Sequence, residues 1–267
     1  MKMYKKIFTA GICLLFVSLA AADKVNLLKN GDFSRYKVNW ITDGEVKEEG
    51  KTGVLILSGK ATRAFSRQVM ELDARNDELL LSADVTADKP VQVLIGFVPV
   101  DRNWKEIFFR NTGAVSGTFT VLDQPAQKNT KKLILKDKVR ARKGNYAALY
   151  ARQDSGDLPN FNLERIQSVS EDGGTILTLT RNLRKTLPAG TGIRIHTDGA
   201  TYLYAANLQK GFPGQIRAQG RIGGSSAVPF RKGTAGCRLC ILILPRKSAP
   251  DVRVEFRNIK VFKVNKK

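Results

Sequence analysis

Histidine and cysteine are nearly absent from this 267-residue chain, which holds one His and three Cys. One of the cysteines, Cys13, lies in a leader-like segment, so only Cys237 and Cys240 remain beyond it. Two thiols and one imidazole cannot build a structural zinc site, and no disulfide framework is implied. An offset of three in a strand sends the two thiols to opposite faces, so they are read as buried free thiols, with a local bridge open only if the chain turns there. No nucleophile elbow, P-loop or dinucleotide fingerprint occurs, which removes the commonest hydrolase, phosphoryl-transfer and hydride-transfer chemistries. No apolar stripe of period 3.6 persists long enough for a substantial helix. Acidic residues thin out along the chain, with only Asp251 and Glu255 after position 204. The others sit in turn or surface contexts such as Glu45, Glu48, Glu49, Asp154 and Asp157, so a carboxylate pair for glycoside hydrolysis is hard to nominate.

What is abundant is positive charge. Lys and Arg number 45 against 24 Asp and Glu, a formal net charge of +21. By segment the counts are 14 basic to 14 acidic over residues 23–113, 14 to 8 over 114–204 and 14 to 2 over 205–267. A field of that sign draws anionic partners such as acidic polysaccharide, envelope lipid headgroups or nucleic acid, and does so in a salt-dependent way. The alternative is that these side chains solvate outward strand faces.

Residues 1–22 read as a secretory signal. Lys2, Lys5 and Lys6 precede an apolar stretch at 7–19, and Ala20 and Ala22 hold the small positions before Asp23. A transmembrane anchor needs about 20 apolar residues and flanks that are missing here. The expected location is secreted, periplasmic or on the cell surface.

The rest is a rhythm of short strands and turns. Runs such as GVLILSG (53–59), ELLLSADVTA (78–87) and VQVLIGFVPV (91–100) are rich in Val, Leu and Ile and bounded by turn residues. EDGG at 171–174, between two alternating runs, predicts a hairpin. In the last strand Val252, Val254 and Phe256 face one way and Arg253, Glu255 and Arg257 the other. In the opening turn, Asn30-Gly31-Asp32, Gly31 is the residue expected at positive φ. The fold class expected is all-β: a sandwich over residues 23–113 and 205–267, interrupted by a small β-barrel-like module at 114–204. Without residues 205–267 the sandwich would lack its last strands, and the ends of a compact domain usually lie close together. Two consecutive domains is the competing parse.

The opening NLLKNGDF (26–33) with Trp40, and the closing FRNIKVF (256–262), resemble the galactose-binding-like β-sandwich family, in particular carbohydrate-binding modules of the cellulose- and xylan-binding kind. Asn26, Leu27, Asn30, Gly31, Asp32, Phe33 and Trp40 carry the match at the start. Asn258, Ile259 and Val261 carry it at the end. The resemblance implies a jelly-roll sandwich whose first and last strands share a sheet, and a function in sugar binding. It also implies a calcium held near the first turn and the closing motif, but Ser34 stands where the family has Glu and Arg257 where it has Asp. A guanidinium repels a hard cation, so no metal is expected there.

Sugar recognition needs aromatic faces and a few planar polar groups. Trp104, with Arg102, Asn103 and Lys105 around it, is the leading candidate. Trp40, Tyr202, Tyr204 and Phe212 are weaker, and Trp40 is expected in the core. Arg217, Arg221, Arg231 and Lys232 are the candidates for neutralising carboxylate or sulfate groups. His196 stands two residues from Arg194 and near Tyr202 and Tyr204, a set that a polysaccharide lyase would use for proton abstraction. The function expected is non-catalytic binding of polysaccharide, anionic by preference. A lyase acting on acidic glycans and a structural or adhesive surface protein are the alternatives. No cofactor, no nucleic acid as physiological partner and no transmembrane segment after cleavage are expected.

Overall fold

The computed structural model describes residues 25–208, 214–224 and 226–265. The expected signal segment at 1–22 and Phe212 lie outside them. Among the described residues no helix is long and apolar enough to cross a membrane.

The chain first lays down β1 (Trp40–Thr42), β2 (Glu45–Glu49), β3 (Thr52–Ser58), β4 (Arg63–Ser66), β5 (Met70–Glu71), β6 (Asp77–Ala87) and β7 (Val91–Val100). A four-residue helix, α1 (Phe109–Thr112), is followed by β8 (Thr120–Val121), β9 (Lys132–Ile134), β10 (Tyr146–Leu149), β11 (Leu163–Asp172), β12 (Gly174–Leu179) and β13 (Gly192–His196). The last strands are β14 (Leu203–Leu208), β15 (Gly214–Gly223), β16 (Gly236–Pro245) and β17 (Arg253–Asn265).

These strands form three antiparallel sheets. One runs β15-β6-β17-β3-β2, and a second runs β1-β4-β16-β7-β14 with β5 also on β16. Between them lies one core, where Leu79, Leu81 and Val85 of β6 and Phe256 of β17 meet Ile95 and Phe97 of β7 and Leu239 and Ile241 of β16. This is a sandwich, and alternation builds it: inward residues are apolar, while outward ones such as Arg253, Glu255 and Arg257 are polar. The alternation would fail after Phe256 without a bulge between Arg257 and Lys260. Asn258 takes φ 50 there and donates to Asp84 at 2.9 Å, which turns Ile259 and Val261 back into the core.

The two ends of the sequence lie side by side. Asn26 bridges Phe262, Leu27 N donates to Val261 O at 2.8 Å, and Ile259 N donates to Gly31 O at 2.9 Å. One expectation is corrected in detail: the left-handed residue of the opening turn is Asn30 (φ 56), not Gly31. Asn tolerates this region because its side chain bonds locally. Asn30 Nδ2 donates to the carbonyls of Tyr36 and Val38 at 2.9 and 2.7 Å, and its Oδ1 accepts from Arg35 N. Gly31 is needed for a different reason, because a Cβ there would lie 2.1 Å from Ile259 O. Gly31→Ala is therefore expected to destabilise the fold by about 1–3 kcal/mol through forced displacement of the closing strand, read as a lower urea midpoint. Trp40 is core, 2% exposed, with its ring 5.2 Å from Phe33. Arg257, at the position of the family's acidic residue, spans Glu49 at 2.8 Å and Glu255 at 2.8 Å.

The third sheet runs β8-β13-β10-β11-β12-β9. It closes on itself, since Leu122 bridges Leu135, Asp123 N donates to Ile134 O and Lys136 N to Val121 O. The result is a small barrel filled by Leu133, Leu135, Ile166, Leu177, Ile193 and Ile195 among others. The EDGG hairpin joins β11 to β12, with Gly173 at φ 70 in its tip. The flanking strands β7 and β14 are hydrogen-bonded neighbours in one sheet, paired as Leu203 with Phe97 and Tyr204 with Gly96. The barrel strands therefore leave and rejoin the sandwich at adjacent points.

Candidate functional site

After β7 the chain makes a tight reversal in which Val100 bridges Glu106. Asp101 organises it: its Oδ1 accepts from the backbone N of Asn103 and of Lys105, both at 2.8 Å, and its carbonyl accepts from Trp104 N at 3.0 Å. This clasp holds Trp104 at φ 59, a left-handed conformation that a bulky residue rarely takes. The indole rests one edge against Gly236, where a Cβ would lie 3.3 Å from Cζ3. The residue is 48% exposed.

The turn stands between two open hollows. Arg102 lines one of about 760 Å³, together with Arg75, Phe230, Arg231 and Lys232. Lys105 and Glu106 line the other, of about 850 Å³, with Phe108, Tyr146 and Phe161 across from them. Lys105 Nζ lies 3.8 Å from the Phe161 ring centre, a cation–π contact that ties the sandwich turn to the barrel. Glu106 accepts from Arg238 at 2.5 Å. Both volumes are in the range of small-ligand sites.

Of the residues nominated from sequence, Arg102, Arg231 and Lys232 come together around the first hollow, with Asn103 and Trp104 on the adjoining turn. Their roles differ. Lys232 is exposed and donates to Ser155 O at 2.7 Å. Arg231 is buried, with its guanidinium donating to the carbonyls of Ile107, Thr201 and Ala200. It clamps the strand ends at the neck of the barrel and presents no free face to a ligand. Arg217 and Arg221 lie apart on β15, at one edge of the other sandwich sheet, where Arg221 pairs with Glu78 at 3.2 Å.

The nominated acid–base set is not brought into one cleft. Tyr204 belongs to β14 of the sandwich, and Tyr202 stacks edge-on between it and Phe65 at 6.3 and 5.9 Å. Burial pushes both phenols above their usual value, so neither is a ready base at neutral pH. His196 and Arg194 are buried on β13 in the barrel. His196 Nε2 accepts from Arg194 Nε–H at 3.1 Å, which leaves the proton on Nδ1, where it is donated to Arg110 O at 2.7 Å. Both ring nitrogens are thus spoken for. Cys237 and Cys240 are free, buried thiols raised by burial; Cys237 is part of the core and Cys240 faces the other side of β16.

Burial, with the adjacent Arg194 cation, holds the His196 pKa below its ordinary 6.5, although the Arg110 carbonyl favours the charged ring. The unfolded chain takes up a proton below that value and the fold does not. Stability from this residue is therefore full above pH 6.5 and falls as the pH drops. The unfolding free energy is expected to decline by up to about 1.4 kcal/mol per pH unit there. Denaturant titrations across that range, with His196→Gln losing the slope, check this.

The residues that sequence reading missed are Phe108, Arg110, Tyr146 and Phe161. Arg110 lies 4.9 Å from the Phe108 ring and 5.7 Å from that of Tyr146. The one local signal was Phe108 and Phe109 just before the change in character of the chain.

No family model and no curated protein matches this chain. Among solved structures it is similar to the Emp47p carbohydrate recognition domain, at 12% identity over 86% of this chain and 89% of that one, with a TM-score of 0.29. It is also similar to the carbohydrate-binding module TmCBM27, described for specific mannan recognition, at 13% identity over 91% of this chain and 96% of that one, with a TM-score of 0.25. The sandwich and barrel rest on the strand pairing above and not on these alignments.

Proposed function

We propose that this chain is an exported, non-catalytic carbohydrate-binding protein that favours acidic polysaccharide, built as a galactose-binding-like sandwich at residues 23–113 and 205–267 with the barrel at 114–204 as an insertion. The observation that carries the reading is Trp104: a half-exposed indole held in a left-handed conformation by Asp101, with Arg102 in a hollow on one side and Lys105 in a hollow on the other. An indole face stacks on the apolar face of a pyranose. Flanking cations then pair with carboxylate or sulfate groups on neighbouring sugars, Arg102 by its planar fork and Lys232 and Lys105 as point charges. Strain retained at an exposed aromatic residue is typical of functional positions. Among the described residues no group of three or more His, Cys, Asp or Glu is placed to hold a metal, and the reading requires none.

A glycan array at two ionic strengths tests it. Acidic glycans are expected to bind at about 0.05 M salt and to weaken sharply at about 0.5 M, where screening is nearly complete within a few ångströms. Absence of all glycan binding at the lower salt would remove the reading.

A further inference from the structure

The groove of about 850 Å³ beside Lys105 does not end at the barrel wall. It shares Phe161, Leu163, Glu164 and Arg181 with a second hollow of about 300 Å³ that continues to Arg184 and Lys185. Aromatic rings recur along this path: Phe108 and Tyr146 at one end, Phe161 in the middle and Tyr150 at the other. Cations alternate with them. Arg110 lies against the Phe108 and Tyr146 rings, Lys105 lies over Phe161, and Lys185 is 4.6 Å from the Tyr150 ring centre. Arg165, Arg181 and Arg184 are exposed and enter no ion pair among the described residues. Tyr146 and Arg165 are cross-strand partners, so the ring and the guanidinium project from the same face of the barrel sheet.

We propose that this channel is an extended subsite along which a chain of acidic sugars lies, continuing from the Trp104 turn across the face of the barrel. The proposal rests on the carbohydrate-binding reading and adds to it a footprint several sugars long. Alternating rings and cations suit a polymer whose repeating units each offer an apolar face and an anionic group. Glu164 decides between polyanions. It lies where the two hollows overlap, and a carboxylate there accepts from the free hydroxyls that each ring of a polysaccharide carries and that an internal deoxynucleotide lacks.

The experiment is calorimetric titration with oligogalacturonates from the disaccharide upward, with sulfated oligosaccharides of matching lengths and with single-stranded oligothymidylate. The full-length protein is compared with R184S/K185S and with Trp104→Gly. Affinity of the unaltered protein is expected to rise with oligomer length in the carboxylated or the sulfated series, and whichever series shows it identifies the anion. R184S/K185S is expected to keep its disaccharide affinity and to lose about tenfold on the longest oligomers, whereas Trp104→Gly weakens every length. A length dependence unchanged in R184S/K185S, or no length dependence at all, overturns the channel while leaving the Trp104 site standing. Tighter binding of oligothymidylate than of either sugar series, reduced in R184S/K185S, overturns the polysaccharide assignment. No binding of any oligosaccharide overturns the channel and the functional reading together. Arg184 and Lys185 are exposed and line only the far hollow, so an unchanged thermal midpoint is expected and separates lost binding from lost folding.

Discussion

Replacing Asp157 by Ala is expected to destabilise the protein by about 3–5 kcal/mol, the cost of breaking a buried ion pair from one side. The Asp157 carboxylate accepts from Arg194 Nη2 at 2.7 Å, from Asn160 Nδ2 at 2.9 Å and from Arg152 N at 3.0 Å. The two charged side chains are only 5% and 9% exposed. Removing the carboxylate strands a guanidinium whose other partners are the Arg152 carbonyl, the Ser155 hydroxyl and the His196 ring. Burial alone would raise the Asp157 pKa, but these hydrogen bonds and the Arg194 charge hold it below 3.8. A depressed carboxyl contributes stability above the unfolded-state pKa and loses it as the pH falls through the lower folded value. The Asp157 and His196 contributions thus fade in separate windows, one below pH 3.8 and one below pH 6.5. Urea unfolding of Asp157→Ala and Asp157→Asn measures the effect. A loss of under about 1 kcal/mol for the alanine variant would mean that the pair behaves as a screened surface bridge.

The second large effect is on binding and has the opposite sign on stability. Trp104→Gly is expected to weaken acidic-glycan binding by about 30-fold, the loss of a central aromatic anchor worth ~2 kcal/mol. The same change removes a side chain held at φ 59, and left-handed backbone costs an L-residue roughly 1–2 kcal/mol. Thermal stability is therefore expected to hold or rise, offset in part by the greater chain entropy of glycine when unfolded. A variant both weaker in binding and equal or greater in stability would mark Trp104 as a residue kept for its surface. A marked fall in stability with unaltered affinity would instead make it a packing residue and sink the functional reading. Titration against an acidic glycan and a thermal melt on one preparation distinguish the two.

The architecture was legible where the physics is local. Apolar runs bounded by turn residues became strands, EDGG became the β11–β12 turn, and the alternation of residues 252–257 placed Phe256 inside and Arg257 outside. Gly31 shows the limit of local reading. A glycine in an Asn-Gly-Asp turn suggests positive φ, yet the reason for it is the Ile259 carbonyl more than two hundred residues on, a contact no window of sequence displays. The candidate site was half legible for the same reason. Trp104 stood out because polar neighbours flank it. Phe108, Tyr146 and Phe161 come from three separate stretches and meet only when the barrel docks beside the turn. Arg231 was nominated with Lys232 as a ligand-neutralising cation, because composition counts charges without showing that this one is buried against carbonyls. Charge adds up linearly along a sequence, whereas burial is decided by topology.

The Arg231 clamp has an engineering consequence. One nitrogen, Nη1, donates to both Ile107 O and Thr201 O, so the outgoing and returning chains pass within reach of a single atom. A gap that small can be spanned by a tight peptide splice. Replacing the barrel by a tight turn, or by another ring-closed unit, is accordingly expected to leave the register of the host sheet unchanged, with a cooperative urea transition of the shortened chain as the check.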